Sequence, residues 1–91
     1  MLVARHYLIR GRVQAVGFRF FLRDAASREG VHGWVRNAAD GGVEALVEGD
    51  AEAVERVELA LRRGPPAARV DEVTVDERTP TARPVGFSIR S

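Results

Sequence analysis

The sequence predicts an α+β protein on a split β-α-β plan, with strands and helices in the order βαββαβ, a short extra strand at the end, and both helices on one face of an antiparallel sheet. Three observations predict it. Apolar residues recur with helical period twice, at Phe18, Phe21, Leu22, Ala25 and Ala26 and again at Val54, Val57 and Leu61. Between these helices lie two alternating runs separated by a short turn containing Asp40-Gly41, a dipeptide that marks hairpins. Further alternating runs precede the first helix and follow the second. Two βαβ-like halves around a hairpin close most simply as one sheet covered on one side.

The first strand is expected over about Arg5 to Arg10, with Tyr7 and Ile9 on one side and Leu8 and Arg10 on the other. His6 is expected at the surface or at an edge. A loop of small residues leads to a helix from near Phe18 to near Glu29, where Gly30 supplies a left-handed stop. Arg23, Asp24, Ser27 and Arg28 read as its solvated face, and Phe20, off the main stripe, as extra packing. The second strand runs from about Val31 to Asn37. The third, Val43 to Gly49, sends Val43, Ala45 and Val47 inward and Glu44, Leu46 and Glu48 outward. Asp50 then caps a helix whose early Glu52 and Glu55 and late Arg62 and Arg63 suit the macrodipole. Glu52–Arg56 and Glu58–Arg62 have the spacing of i,i+4 pairs. Val54, Val57 and Leu61 form its buried stripe with Ala53 and Ala60 beside it, and Gly64-Pro65-Pro66 ends it. The fourth strand covers about Arg69 to Glu77, with Val73 and Val75 on one face. The segment from Arg78 to Pro84, with two prolines, reads as a loop, and Phe87 and Ile89 alternate in a short last strand. No repeat, linker or low-complexity block interrupts the 91 residues, so the whole chain, 1–91, is expected to be one domain.

Composition narrows the function. Hydrophobic residues make up 45% and charged residues 30%, the balance of a globule with one modest core. There is no cysteine, so disulfides, thiolate metal sites and Cys–His chemistry are out, which fits a cytoplasmic protein. All 14 basic residues are arginine, which removes Schiff-base and lysine-nucleophile chemistry. A net charge of +1 lacks the basic surplus of a nucleic-acid binder. No run is apolar and long enough for a signal peptide or a membrane span. Two histidines, His6 and His32, leave little for a transition metal, and no pair of carboxylates stands out.

The stretch Gly11-Arg12-Val13-Gln14-Ala15-Val16-Gly17-Phe18-Arg19 is the candidate for chemistry. The first N–H groups of a helix have no intrahelical partner, and the macrodipole makes that end positive. A loop feeding into it can turn further N–H groups toward an anion. Arg19, in the first turn, opposes the dipole, so helix stability does not explain it, whereas a bound anion does. A Walker-type loop is excluded, because five residues separate the glycines and neither lysine nor Ser/Thr follows Gly17. Taken alone, the segment reads first as an ordinary strand–loop–helix connection with a solvated arginine.

A second stretch, Gly33-Trp34-Val35-Arg36-Asn37-Ala38-Ala39-Asp40-Gly41-Gly42-Val43, changes that balance. Together the two resemble the signatures of the acylphosphatase family. The first follows Gly-x-Val-Gln-Gly-Val-x-Phe-Arg from Gly11 to Arg19. The second follows Gly-aromatic-Val-Arg/Lys-Asn-x-x-x-Gly-x-Val-x-x-x-x-x-Gly from Gly33 to Gly49. The resemblance spans nearly the whole chain and implies a ferredoxin-like α/β sandwich that hydrolyses acyl phosphates to a carboxylate and inorganic phosphate. It implies that Arg19 binds the phosphoryl group and that Asn37 positions the nucleophilic water. It also implies that Val13, Gln14, Ala15, Val16, Gly17 and Phe18 cradle the phosphate through their backbone N–H groups. Read by itself, Asn37 would be a turn-opening residue at a strand end. The family needs no metal or other cofactor. The expected partners are a small acyl phosphate, with inorganic phosphate or sulfate as competing anions, for a monomer with no nucleic-acid or membrane partner.

Ala15 departs from the pattern, since the family has glycine there. If that position needs a positive φ, alanine costs roughly 1 kcal/mol and tilts a neighbouring N–H, which touches catalysis more than folding. Two other readings belong to different classes. An RNA-recognition module of the same fold type would carry aromatics on its central strands, but the third strand is Val-Glu-Ala-Leu-Val-Glu. A weakly catalytic binding module, like the acylphosphatase-like domains of larger carbamoyl-transfer proteins, is favoured by Ala15. A chain of this length favours the stand-alone enzyme.

Overall fold

Residues 1–81 and 85–91 are described by a computed structural model. Strand β1 (Leu2–Arg12) leads to α1 (Phe18–Glu29), β2 (His32–Asn37), β3 (Val43–Asp50), α2 (Ala51–Arg63), β4 (Arg69–Arg78) and β5 (Phe87–Ile89). The sheet order is β4-β1-β3-β2-β5. β1 runs antiparallel to both β3 and β4, and β2 antiparallel to β3. Each βαβ unit therefore holds a strand of the other between its own two. This is the expected split arrangement, and the interleaving lets both helices cover one face. The fifth strand adds a point the antiparallel expectation lacked. β5 pairs with β2 in parallel, Gly33 against Phe87 and Val35 against Ile89, so the complete sheet is mixed.

The core lies between the sheet and the helices. Tyr7 and Ile9 of β1, Val35 of β2, and Val43, Ala45 and Val47 of β3 meet Phe18, Leu22 and Ala26 of α1 and Val54, Val57 and Leu61 of α2. The alternation read from β1 and β3 is the alternation observed on this face. α2 is capped as expected: the Asp50 carboxylate accepts from Glu52 N–H at 3.3 Å, Glu52 sits in the first turn, and Arg62 and Arg63 sit in the last. Gly30 ends α1 at φ 70. Strands β1 and β4 extend beyond the expected limits, because each continues to find partners on its neighbour.

The opposite face of the sheet differs from expectation. His6 is 8% exposed rather than at the surface, because β1 is a central strand. Its Nε2–H donates to Glu44 at 2.6 Å, and Glu44 also accepts from Arg36. The His6 hydrogen bond holds the Glu44 carboxyl below its ordinary range, with Arg36 adding to it, against burial, which pushes the other way. Glu48, expected outward, is 5% exposed and accepts from Thr81 at 2.9 Å, so the chain after β4 folds back over this strand. Phe20 adds no packing. It is 55% exposed, with the Arg23 guanidinium 5.0 Å above its ring. Arg56 bonds Glu29 of α1 at 2.7 Å, tying the helices together where a local pair with Glu52 was expected. The expected Glu58–Arg62 pair is present at 3.2 Å, and Glu58 also accepts from the buried Tyr7 hydroxyl at 2.9 Å. Of the segment expected to be a loop, Ala82, Arg83 and Pro84 lie outside the described residues. Among the described residues no helix is long and apolar enough to cross a membrane.

Candidate active site

β1 ends at Arg12, and the chain crosses to α1 through Val13–Gly17. The burial of this loop follows its sequence. Val13 and Phe18 are buried and Val16 packs against the core, while Ala15 and Gly17 stay exposed. Apolar side chains pin the loop inward at three points. Two residues take left-handed angles. Gly17, the residue before the helix, has φ 79, and Ala15 has φ 61. Ala15 is the one residue other than glycine with positive φ among the described residues. The family pattern has glycine at that position, and the angle explains why.

This turn of the chain leaves its donors unused. Among the described residues none of the backbone N–H groups from Gln14 to Phe20 has a protein acceptor. The start of α1 has no side-chain cap and no acidic residue in its first turn, whereas α2 has both Asp50 and Glu52. An uncapped helix start fed by a run of free N–H groups is a positive concavity for an anion. Arg19 stands in that first turn. It lies seven residues, two turns, before the fully buried Ala26, so it borders the core-facing side of α1 and is partly buried. Among the described residues it has no ion-pair partner.

Strand register brings Asn37 to the same end of the sheet. Ile9 pairs with Val43, and Val43 pairs with Asn37, so the three form one row across β1, β3 and β2. The next row inward is Tyr7, Ala45 and Val35, all buried. Asn37 is two residues from Val35 and shares its face, the one the helices cover. It is the polar, partly buried terminus of an apolar stripe, beside the point where β1 runs out into the loop. The turn after it, Ala38–Gly42, closes by an Ala38 N–H to Gly42 O bond of 2.8 Å, and Asp40 accepts from Gly42 N–H at 2.9 Å. That hydrogen bond, with Arg10 nearby, holds the Asp40 carboxyl below its ordinary range. The turn abuts β1: a Cβ on Gly42 would lie 2.8 Å from Ile9 O.

The loop Val13–Phe18, Arg19 and Asn37 thus lie at one end of the sheet, on its helix side. Loop and turn are joined directly by Gln14, whose side-chain amide donates to Ala38 O at 2.8 Å and to Gly42 O at 2.9 Å. Nothing in the sequence marks that contact, since the family pattern implicates Gln14 only through its backbone. Among the described residues no three His, Asp or Glu side chains cluster so as to hold a metal ion. The arrangement offers anion binding from N–H groups and a guanidinium, and beside it a neutral amide that can both donate to and accept from a water.

The chain is similar to known proteins in sequence and in fold. A protein-family model described as Acylphosphatase matches residues 5–89. An acylphosphatase of Acidiphilium cryptum is 49% identical over 90 residues, covering 99% of this chain and 98% of its own. One of Aeropyrum pernix is 50% identical over 90 residues, covering 98% and 89%. Among solved structures, the acylphosphatase from Bacillus subtilis superposes with a TM-score of 0.93 at 36% identity over the full length of both chains.

Proposed function

The chain belongs to the acylphosphatase family and hydrolyses small-molecule acyl phosphates, and from that premise we propose how its own residues carry the reaction. The backbone N–H groups of Val13, Gln14, Ala15, Val16, Gly17 and Phe18 cradle the phosphoryl oxygens. Arg19 adds its planar fork to them. Asn37 holds a water in line with the phosphorus. The observation that carries this reading is the uncapped start of α1, with a run of N–H groups and an arginine unpaired among the described residues, beside Asn37 at the end of the Ile9–Val43–Asn37 row.

The chemistry asks for little more. The leaving group is a carboxylate whose conjugate acid has a pKa of about 4, so it departs without a general acid. What remains is to fix the phosphoryl group, stabilise the charge that spreads over its oxygens and aim the water. N–H donors and a guanidinium do the first two in a fixed frame that need not reorganise during the reaction. The Asn37 amide accepts a hydrogen bond from the water and can donate one as well, and the substrate's own phosphate serves as base. The reaction on this reading needs no metal or other cofactor, and inorganic phosphate and sulfate compete for the cradle.

The reading extends to the whole molecule. Residues 1–91 act as one unit, since the two interleaved βαβ halves share a single core and neither can bury its strands alone. The unit works as a monomer, in the cytoplasm in keeping with a sequence free of cysteine, and without a nucleic-acid or membrane partner.

One assay on benzoyl phosphate tests the reading. Asn37→Ala is expected to lower kcat by about 100-fold or more while the affinity for inorganic phosphate changes little, because a water-positioning group acts in the transition state. Wild-type activity is expected to be the same with and without EDTA. A collapse of phosphate affinity with kcat intact would make Asn37 a binder, and activity lost to EDTA and restored by a divalent cation would overturn the metal-free mechanism.

A further inference from the structure

Within the cradle loop Val13–Gly17, Gln14 carries the one polar side chain. Its amide reaches Ala38 O at 2.8 Å and Gly42 O at 2.9 Å. Both partners are carbonyls, which can only accept, so the nitrogen of the amide faces them and both of its hydrogens are used. These are also the residues that close the β2–β3 turn: Ala38 N–H donates to Gly42 O at 2.8 Å and Gly41 N–H to Ala38 O at 3.2 Å. Gln14 therefore grips both feet of that turn. Asn37 is bonded to one foot and paired with Val43, the neighbour of the other.

The loop has few other means of holding a position relative to Asn37. Among the described residues the N–H groups from Gln14 to Phe20 find no protein acceptor. Val13, Val16 and Phe18 anchor the loop by apolar contact, which fixes depth more than direction. The next residue, Ala15, holds a backbone angle that L-residues resist, so the loop has a local reason to relax. Among the described residues the directional link between the two parts is the pair of Gln14 hydrogen bonds.

We propose that Gln14 is a positioning residue that couples the phosphate cradle to Asn37, keeping the water in line with the phosphoryl group. The proposal rests on the water-positioning role given to Asn37. It assigns the side chain of Gln14 a task separate from its backbone N–H, and it gives the glutamine at this position a reason that anion binding alone does not. A longer or shorter side chain, or one with a single donor, cannot span both carbonyls from the loop.

A double-mutant cycle tests it. Gln14→Met keeps the length and removes both donors, and each carbonyl still accepts from the turn's own N–H groups, so the fold is expected to survive. In the wild-type background Gln14→Met is expected to lower kcat on benzoyl phosphate by about 10-fold to 100-fold, the cost of a small misplacement of reacting groups. The affinity for inorganic phosphate is expected to change by less than about twofold, since cradle and arginine remain. In the Asn37→Ala background, where no water is aimed, Gln14→Met is expected to change kcat by less than about twofold, because coupled residues do not add. The same fall in both backgrounds would overturn the coupling, as would a phosphate affinity that weakens as much as kcat falls, or an unchanged kcat. Should Gln14→Met fail to fold, Gln14→Asn, which shortens the side chain and keeps its amide, runs the same cycle with the same outcomes. Wild-type kcat in Asn37→Ala alone would overturn the role of Asn37 before Gln14 is touched, so the two failures are distinguishable.

Discussion

Ala15 carries a Cβ into a region of backbone space where that atom meets its own carbonyl, at φ 61. The strain is worth roughly 1 kcal/mol. Ala15→Gly relieves it but adds unfolded-state entropy that costs about 0.4–1 kcal/mol, so thermal stability is expected to hold within about 0.5 kcal/mol. The N–H groups on either side of Ala15 aim at the phosphoryl oxygens on the proposed reading, and a relaxed backbone lets them aim better. The expected outcome is a higher kcat/KM at unchanged Tm, and a loss in both on the same pair of proteins would remove strain from the account of this loop. Arg19 differs in kind, because the task proposed for it is geometric as well as electrostatic. A lysine keeps the charge and loses the planar fork, so Arg19→Lys is expected to lower kcat/KM on benzoyl phosphate by about 100-fold, in the range of losing one preorganised donor. Activity close to wild type would mean that a point charge suffices there.

The two helices begin in opposite ways, and the contrast separates what serves the fold from what serves the site. α2 is complete in its own sequence: Asp50 caps it, Glu52 lies in its first turn and Arg62 and Arg63 lie in its last. α1 begins after an uncapped left-handed glycine and has Arg19 as its second residue. On the proposed reading an anion finishes α1 and has nothing to do at α2. Phosphate at 100 times its dissociation constant is expected to stabilise the protein by about 2.7 kcal/mol, read as a rise in Tm. Asp50→Ala is expected to cost about 1 kcal/mol without phosphate and to leave the phosphate-induced gain intact. A gain that disappears in Asp50→Ala would put the anion at the wrong helix. Such local signals were legible in the sequence, and so were the strands, the hairpin and the inward face of β3, because each rests on periodicity or on turn chemistry within a few residues. What lay hidden depends on register. His6 meets Glu44 across 38 residues, and Gln14 meets Ala38 and Gly42 across 24 and 28. Period-two alternation told which side of β3 Glu48 faces, but not that Thr81 would return to cover it. Arg19 and Asn37 could be named from their motifs. That they belong to one end of the sheet follows only once β1, β3 and β2 are aligned row by row.

The plan of the whole molecule sorts its charges although their sum is only +1. β1 ends, α1 begins, β2 ends and β3 begins at the end of the sheet that holds the cradle. α2 returns to that end as well, where a Cβ on Gly64 would lie 3.1 Å from the Phe18 ring. Arg10 and Arg12 close β1, Arg19 opens α1, Arg62 and Arg63 close α2, and Arg69 opens β4 opposite Arg12. Arg10 is paired with Asp40, Arg62 with Glu58 and Arg69 with Asp71, while Arg12, Arg19 and Arg63 have no ion-pair partner among the described residues. At the other end Glu29, Asp50 and Glu77 are paired with Arg56, the N-terminal ammonium and Arg5, while Glu52 and Glu55 lie in the early turns of α2. On the proposed reading a small molecule with a negative phosphoryl group meets a field that draws it to the cradle end, and such steering raises the association rate more than it changes the bound state. Raising ionic strength from about 0.01 M to about 0.15 M shortens the screening length from about 30 Å to about 8 Å, which cuts off charges beyond the first contacts. Over that range kcat/KM on an anionic acyl phosphate is expected to fall severalfold with an uncoordinating salt such as sodium chloride, while kcat at saturation stays level, because the bound phosphoryl group feels mainly the N–H groups and Arg19 beside it. Arg12→Gln and Arg63→Gln together are expected to flatten that salt dependence with kcat unchanged. A wild-type kcat/KM that ignores salt would mean that the distant arginines do not reach the substrate before it docks.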